Sequence, residues 1–102
     1  MKILLICSAG MSTSILVDKM KKAAEDKGIS AEINAVAESE LQNHLDGLDV
    51  VLIGPQVRYL EKSIKEKVEP LGIQCEVIDQ IAYGMMKGDQ VLEQAIKLAD
   101  KK

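Results

Sequence analysis

The sequence predicts an α/β fold: a single open four-stranded parallel sheet in the order 2-1-3-4, with helices on both faces. Three observations carry this. The hydrophobic pattern alternates between strand-like and helix-like stretches through four rounds of a 102-residue chain, as expected of parallel strands joined by crossover helices. Two of the strand-like runs, Ile3 to Cys7 and Asp49 to Ile53, are almost continuously apolar, as strands covered on both faces are. The other two, Ser30 to Ala37 and Ile73 to Ile78, alternate or partly alternate and so belong at the edges. Right-handed crossovers joining two central and two edge strands are best satisfied by the order 2-1-3-4.

The elements follow in turn. After the first strand, Ile15, Leu16, Met20, Ala23 and Ala24 share one side of a helix that begins near Ser12 and is stopped by Gly28. A short helix is expected at Glu38 to Leu45. Val57, Leu60, Ile64 and Val68 recur at helical spacing and define a second amphipathic helix, ended by Pro70 and Gly72. A last helix is expected from Asp89, read as its N-cap, through Val91, Leu92, Ala95, Ile96 and Ala99. Neither a repeat nor a linker interrupts residues 1–102, which read as one domain.

Composition removes several functional classes. The chain is 47% hydrophobic and 28% charged with a net charge of −3, an ordinary globular balance. With no basic cluster, and Tyr59 and Tyr83 as the only aromatics, nucleic acid is not an expected partner. The longest apolar runs fall far short of the ~20 residues that span a bilayer. A cytoplasmic protein with reduced thiols at Cys7 and Cys75 is expected.

The chemistry concentrates in the stretch ICSAGMSTSI. Strand order 2-1-3-4 places a topological switch point at the carboxyl ends of strands 1 and 3, where open α/β sheets bind ligands, and Cys7 ends strand 1. The next seven residues, Ser8, Ala9, Gly10, Met11, Ser12, Thr13 and Ser14, include no proline and no charge. Each carries a backbone N–H, so the loop can wrap donors around an anion. The helix starting near Ser12 adds its unpaired N–H groups and positive dipole end. Both effects are expected to lower the Cys7 thiol pKa and make it a nucleophile. The opposing reading treats Cys7 as a small core residue; that reading is preferred for Cys75, which no anion loop follows.

The spacing is similar to the Cys-x5-Arg-Ser/Thr loop of low-molecular-weight tyrosine phosphatases, which follows the first strand of a small α/β sheet. Here Thr13 stands at the arginine position, with Ser14 after it. The bidentate clamp on a transferring phosphoryl group is missing, and so is the Asp-Pro loop that supplies the acid. Hydrolysis should be poor and a phosphocysteine should persist.

Taken together, CSAGMSTS after strand 1, DVVLIGPQ at strand 3 and its turn, and VID with YG after strand 4 resemble the IIB component of the lactose/cellobiose group of the bacterial sugar phosphotransferase system, over essentially the whole chain. The resemblance implies a protein-phosphohistidine–sugar phosphotransferase. In it Cys7 takes a phosphoryl group from a phosphohistidine on a IIA partner and passes it to a β-linked disaccharide of cellobiose, chitobiose or lactose type held by the membrane IIC partner. Residues 8 to 14 form the phosphate cradle, with no cofactor or metal, and the carrier is expected to be a monomer. A cysteine phosphatase or arsenate reductase is the alternative enzyme, and a binding module without covalent chemistry a third possibility.

Gly54, Pro55 and Gln56 follow strand 3 on the same edge as Cys7 and are candidates for a partner surface. Arg58, in the first turn of the helix after strand 3, is a candidate to reach an incoming phosphate, but a solvated surface charge is the default and preferred reading. Asp79 reads as a helix cap, Tyr83 as a packed aromatic and His44 as a surface residue near a helix end.

Overall fold

The computed structural model of the chain describes residues 1–7 and 11–100, with backbone alone for 11–13. Strands β1 (Lys2–Ile6), β2 (Glu32–Val36), β3 (Val50–Ile53) and β4 (Gln74–Val77) form one sheet in the order β2-β1-β3-β4. Every pairing is parallel: Ile3 sits between Ile33 and Val50, and Val51 lies beside Cys75. The central and edge assignments follow the hydrophobic pattern. All of β3 and all of β1 but Lys2 are buried, whereas β2 and β4 each bury one residue fully, Ile33 and Cys75.

Because successive side chains of a strand point to opposite faces, the sheet separates two hydrophobic cores. Ile3, Leu5 and Cys7 with Val50 and Leu52 face one side. There they meet Leu16, Val17 and Met20 of helix α1 (Met11–Asp26), Ala82 of α3 (Gln80–Gly84), and Val91, Leu92 and Ala95 of α4 (Gly88–Ala99). Leu4, Ile6, Val51 and Ile53 face the other side, against Leu41, Val57, and Ile64 and Val68 of α2 (Glu61–Val68).

Several elements differ from the sequence reading. The helix expected through Val57 and Val68 is two pieces: a 3-10 turn at Pro55–Leu60 with Val57 at non-helical angles (φ −121, ψ 26), and only then α2. Pro55 fixes the first backbone angle of the turn, and Val57 bends so that its side chain still reaches the core. The chain also runs past Pro70 in a further 3-10 turn, Glu69–Leu71, before Gly72 ends it. The short helix after β2 is likewise 3-10, Glu38–His44, with His44 half-buried at its end.

The last helix starts at Gly88 with Lys87 at the cap, so Asp89 lies inside the first turn rather than capping it. Packing sets this start. A Cβ on Gly88 would stand 2.6 Å from the backbone carbon of Lys19, so the first residue of α4 rests directly on α1. Finally α3, a five-residue helix after β4, is an element the periodicity did not show.

Candidate active site at the carboxyl edge of the sheet

Cys7 is the residue after β1, and its backbone continues the ladder by donating to the carbonyl of Val36 at 3.1 Å. On the other flank Gly54, the residue after β3, donates to the carbonyl of Ile6 at 2.8 Å. The second bond brings the ends of the central strands β1 and β3 side by side at the switch point, while the first holds the end of β1 to the edge strand β2. The Cys7 side chain is 4% exposed and turns toward the α1–α4 face, beneath Leu16 and Val17.

Of the proposed cradle, Ser8, Ala9 and Gly10 lie outside the described residues. Met11, Ser12, Thr13 and Ser14 are already helical, so α1 opens four residues after the thiol, one residue earlier than the sequence suggested. The backbone N–H groups of that first turn have no intrahelical carbonyl to bond, and the helix dipole places partial positive charge there. Ser14 is exposed.

The turn after β3 closes the site from the other side. A Cβ built on Gly54 would stand 3.1 Å from Cys7 Sγ and 2.7 Å from Gln56 Oε1, so thiol and carboxamide flank the bare Cα of one glycine. Gly54 has φ −61 and ψ 140, angles open to any residue; space, not backbone shape, favours glycine here. Gly54 is thus buried and offers no surface to a partner, while Pro55 is half-buried and Gln56 exposed. Arg58 projects from the 3-10 turn into solvent.

Helix α3 supplies the remaining wall. Asp79 caps it, its Oδ2 accepting from the backbone N–H of Ala82 at 3.0 Å. Tyr83 packs against the core cluster and presents its hydroxyl to Gln56, whose Nε2 donates to it at 2.7 Å. Pro55, Gln56, Gln80, Tyr83 and Gly84 line an open groove of ≈ 500 Å³. The Gln56–Tyr83 contact was not visible in sequence, since 27 residues separate the pair and α3 itself had no periodic signal.

On the second edge strand Cys75 has no comparable setting. It is 8% exposed among the residues beneath α2, and burial pushes its thiol up from 9.0 to about 12. Among the described residues no group of three or more His, Cys, Asp or Glu is placed to hold a metal ion.

The family model described as "PTS system, Lactose/Cellobiose specific IIB subunit" matches residues 2–94. The chain belongs to that family. The oligo-β-mannoside-specific EIIB component of Bacillus subtilis is 47% identical over 97 residues, covering 95% of this chain and 94% of that one. The cellobiose-specific EIIB component of Lactococcus lactis subsp. lactis is 46% identical over 101 residues, with 94% of both chains covered.

Among solved structures, the cellobiose-specific phosphotransferase IIB component protein from Borrelia burgdorferi superposes with a TM-score of 0.83 at 47% identity, over 100% of this chain and 94% of that one. The lactose-specific IIB component domain from Streptococcus pneumoniae gives 0.85 at 20% identity, over 96% of each chain, a likeness of fold. As a IIB subunit, the chain is part of a sugar phosphotransferase that works with IIA and IIC partners. Among the described residues no helix is long and apolar enough to cross a membrane.

Proposed function

We propose that this IIB subunit carries the phosphoryl group on Cys7. The thiolate sulfur attacks the phosphorus of a phosphohistidine on the IIA partner; the S–P bond forms as the N–P bond breaks, and that electron pair stays on the imidazole nitrogen. A hydroxyl oxygen of the sugar bound to the IIC partner then attacks. Its O–P bond forms, the S–P electron pair returns to sulfur as thiolate, and the hydroxyl proton is released. Both steps depend on in-line positioning and on donors aimed at the phosphoryl oxygens, rather than on a strong acid or base within the chain.

The observation that carries this reading is the position of Cys7 at the switch point between Gly54 and the opening turn of α1, in a chain that belongs to the IIB family. The backbone N–H groups of residues 8–14 serve as the cradle. With Thr13 where phosphatases carry arginine, water is a poor acceptor, and the phosphocysteine survives until a partner docks. Exposed apolar side chains on segments leaving the carboxyl ends of the strands suit that docking: Ile15 on α1, Tyr59 in the turn after β3, Ile81 on α3 and Met85 at its C-terminal cap. Pro55 and Gln56 lie between them in sequence.

The acceptor class is a β-linked disaccharide or related β-glycoside. Relatives at 45 to 47% identity are named for oligo-β-mannosides, cellobiose and galactose, so nearly equal likeness accompanies three sugars, and selection is assigned to the IIC partner. Incubation with phosphorylated IIA followed by mass spectrometry of peptides tests the carrier step. The phosphoryl group is expected on the peptide holding Cys7, and Cys7→Ser is expected to accept none while giving an unchanged amide spectrum. Labelling elsewhere, or acceptance by the serine variant, overturns the assignment.

A further inference from the structure

We propose that Gln56 and Tyr83 form a hinged pair that turns an acceptor toward the empty thiol and donors toward the phosphorylated one; this rests on the carrier reading of Cys7. Gln56 Oε1 and Cys7 Sγ press on the same side of Gly54, so the Gln56 carboxamide is a neighbour of any group attached to the sulfur. In the structure Nε2 is directed away, donating to the Tyr83 hydroxyl at 2.7 Å, and the carbonyl oxygen is the end that lies over the glycine. That orientation suits the protonated resting thiol, which can donate to an acceptor until it loses its proton to become the attacking thiolate. It opposes a phosphoryl group, whose oxygens accept hydrogen bonds and repel a carbonyl oxygen.

The geometry contains its own resolution. A phenolic hydroxyl can either accept or donate, and a carboxamide has one end of each kind. Reversing the Gln56 amide about its last bond keeps the link to Tyr83, now with the Tyr83 O–H donating to Oε1, and swings the NH2 to the Gly54 side. One N–H is then directed at a phosphoryl oxygen in a charge-assisted bond. Gln56 is exposed and the Tyr83 ring is half-buried in the core, so the ring is a fixed post and the amide has room to turn. Gln56 contacts the phosphoryl group, and Tyr83 is a positioning residue acting through it.

The test uses the full chain and phosphorylated IIA. In the wild-type protein the side-chain NH2 resonances of Gln56, assigned by their loss in Gln56→Met, are expected to move on phosphorylation of Cys7. Gln56→Met keeps length and removes the donor. It is expected to slow single-turnover acceptance roughly ten- to hundredfold, the range for losing one hydrogen bond to a charged group. Tyr83→Phe keeps the ring and should slow acceptance less, and in the Gln56→Met background it should add nothing.

Gln56 resonances that stay still when Cys7 is charged overturn the proposal, and so does wild-type acceptance in Gln56→Met. An equal Tyr83→Phe effect in both backgrounds overturns the role of Tyr83 as a post. In each of these cases the wild-type protein still charges on Cys7 and the carrier reading stands. A wild-type protein that takes up no phosphoryl group on Cys7 overturns both.

Discussion

The sulfur of Cys7 crowds the side-chain position of Gly54: a Cβ there would stand 3.1 Å from Sγ, so the sulfur would have to give by a few tenths of an ångström. The second obstacle, Gln56 Oε1 at 2.7 Å, is the tip of an exposed flexible side chain and yields easily, whereas the sulfur is held in a packed core. Gly54→Ala is therefore expected to fold, at a cost of about 1–2 kcal/mol for overpacking. Its main effect should be on the displaced thiol and carboxamide: acceptance from phosphorylated IIA falls by roughly tenfold or more, one displaced contact to a charged group being enough for that. Urea denaturation and single-turnover kinetics on the same variant separate the two effects. Wild-type acceptance would mean that the close contact has no role in transfer.

A second prediction concerns how α3 is held. Gln94 on α4 uses its whole carboxamide: Oε1 accepts from the backbone N–H of Asp79 at 3.0 Å, while Nε2 donates to Glu76 Oε1 at 2.6 Å and to the Val77 carbonyl at 2.9 Å. Asp79 in turn caps α3, which carries Tyr83. Asp79→Ala should lower stability by about 1 kcal/mol, as lost caps do. Gln94→Leu should lower it by about 1–3 kcal/mol, because half-buried polar groups lose their partner. Hydrogen exchange at the Ala82 amide is expected to quicken in both. Unchanged exchange there would show that the core contacts of Ala82 hold α3 without either side chain.

A third prediction follows from comparing helix ends. α1 ends in a pair of bonds, Ile29 N–H to the Ala24 carbonyl and Gly28 N–H to the Glu25 carbonyl, with Gly28 left-handed at φ +70. α3 ends in the same pair, Lys87 to Ala82 and Met86 to Tyr83, but its left-handed residue is Met86, at φ 55. A side chain in that region costs about 1 kcal/mol or more. Because the Met86 side chain also packs on the core, the fair comparison is between Met86→Gly and Met86→Ala, which both delete it. The glycine variant should be the more stable by about 1 kcal/mol in thermal or urea unfolding. Equal stabilities would mean that the segment relaxes out of the left-handed conformation.

Sheet order, the central strands and the place of Cys7 were legible because burial on both faces leaves a continuous apolar run and because crossovers have one hand. Asp79 reads correctly as a cap because the side-chain chemistry of a helix start is local. What was not legible is what depends on contacts distant in sequence. The early start of α4 is set by Gly88 meeting the backbone of α1, and the break at Val57 by the demands of the second core. Gly54 looked like a surface residue beside Pro55 and Gln56. Only the fold shows that the cysteine 47 positions earlier takes the space of its side chain.

The two cysteines supply the last prediction. Burial pushes the Cys75 thiol from 9.0 to about 12; Lys65 opposes the rise, and Glu61, Glu69 and Glu76 add to it. Between those two pH values the unfolded chain gives up the Cys75 proton while the folded chain keeps it. The unfolded state then binds fewer protons, so stability falls as pH rises through this window, by at most about 1.4 kcal/mol per pH unit, and levels off above it. Lysines and tyrosines also titrate there, so the contribution of Cys75 is read as the difference between wild type and Cys75→Ala. Urea unfolding at pH 8, 9, 10 and 11 should show wild type losing ground to the variant above pH 9. At pH 8, alkylation of Cys75 should proceed only on unfolding, and Cys75→Ala should accept phosphoryl groups at the wild-type rate. Parallel stability profiles would show that Cys75 keeps an ordinary pKa in the folded chain, and loss of acceptance would show that this edge of the sheet is coupled to the site at Cys7.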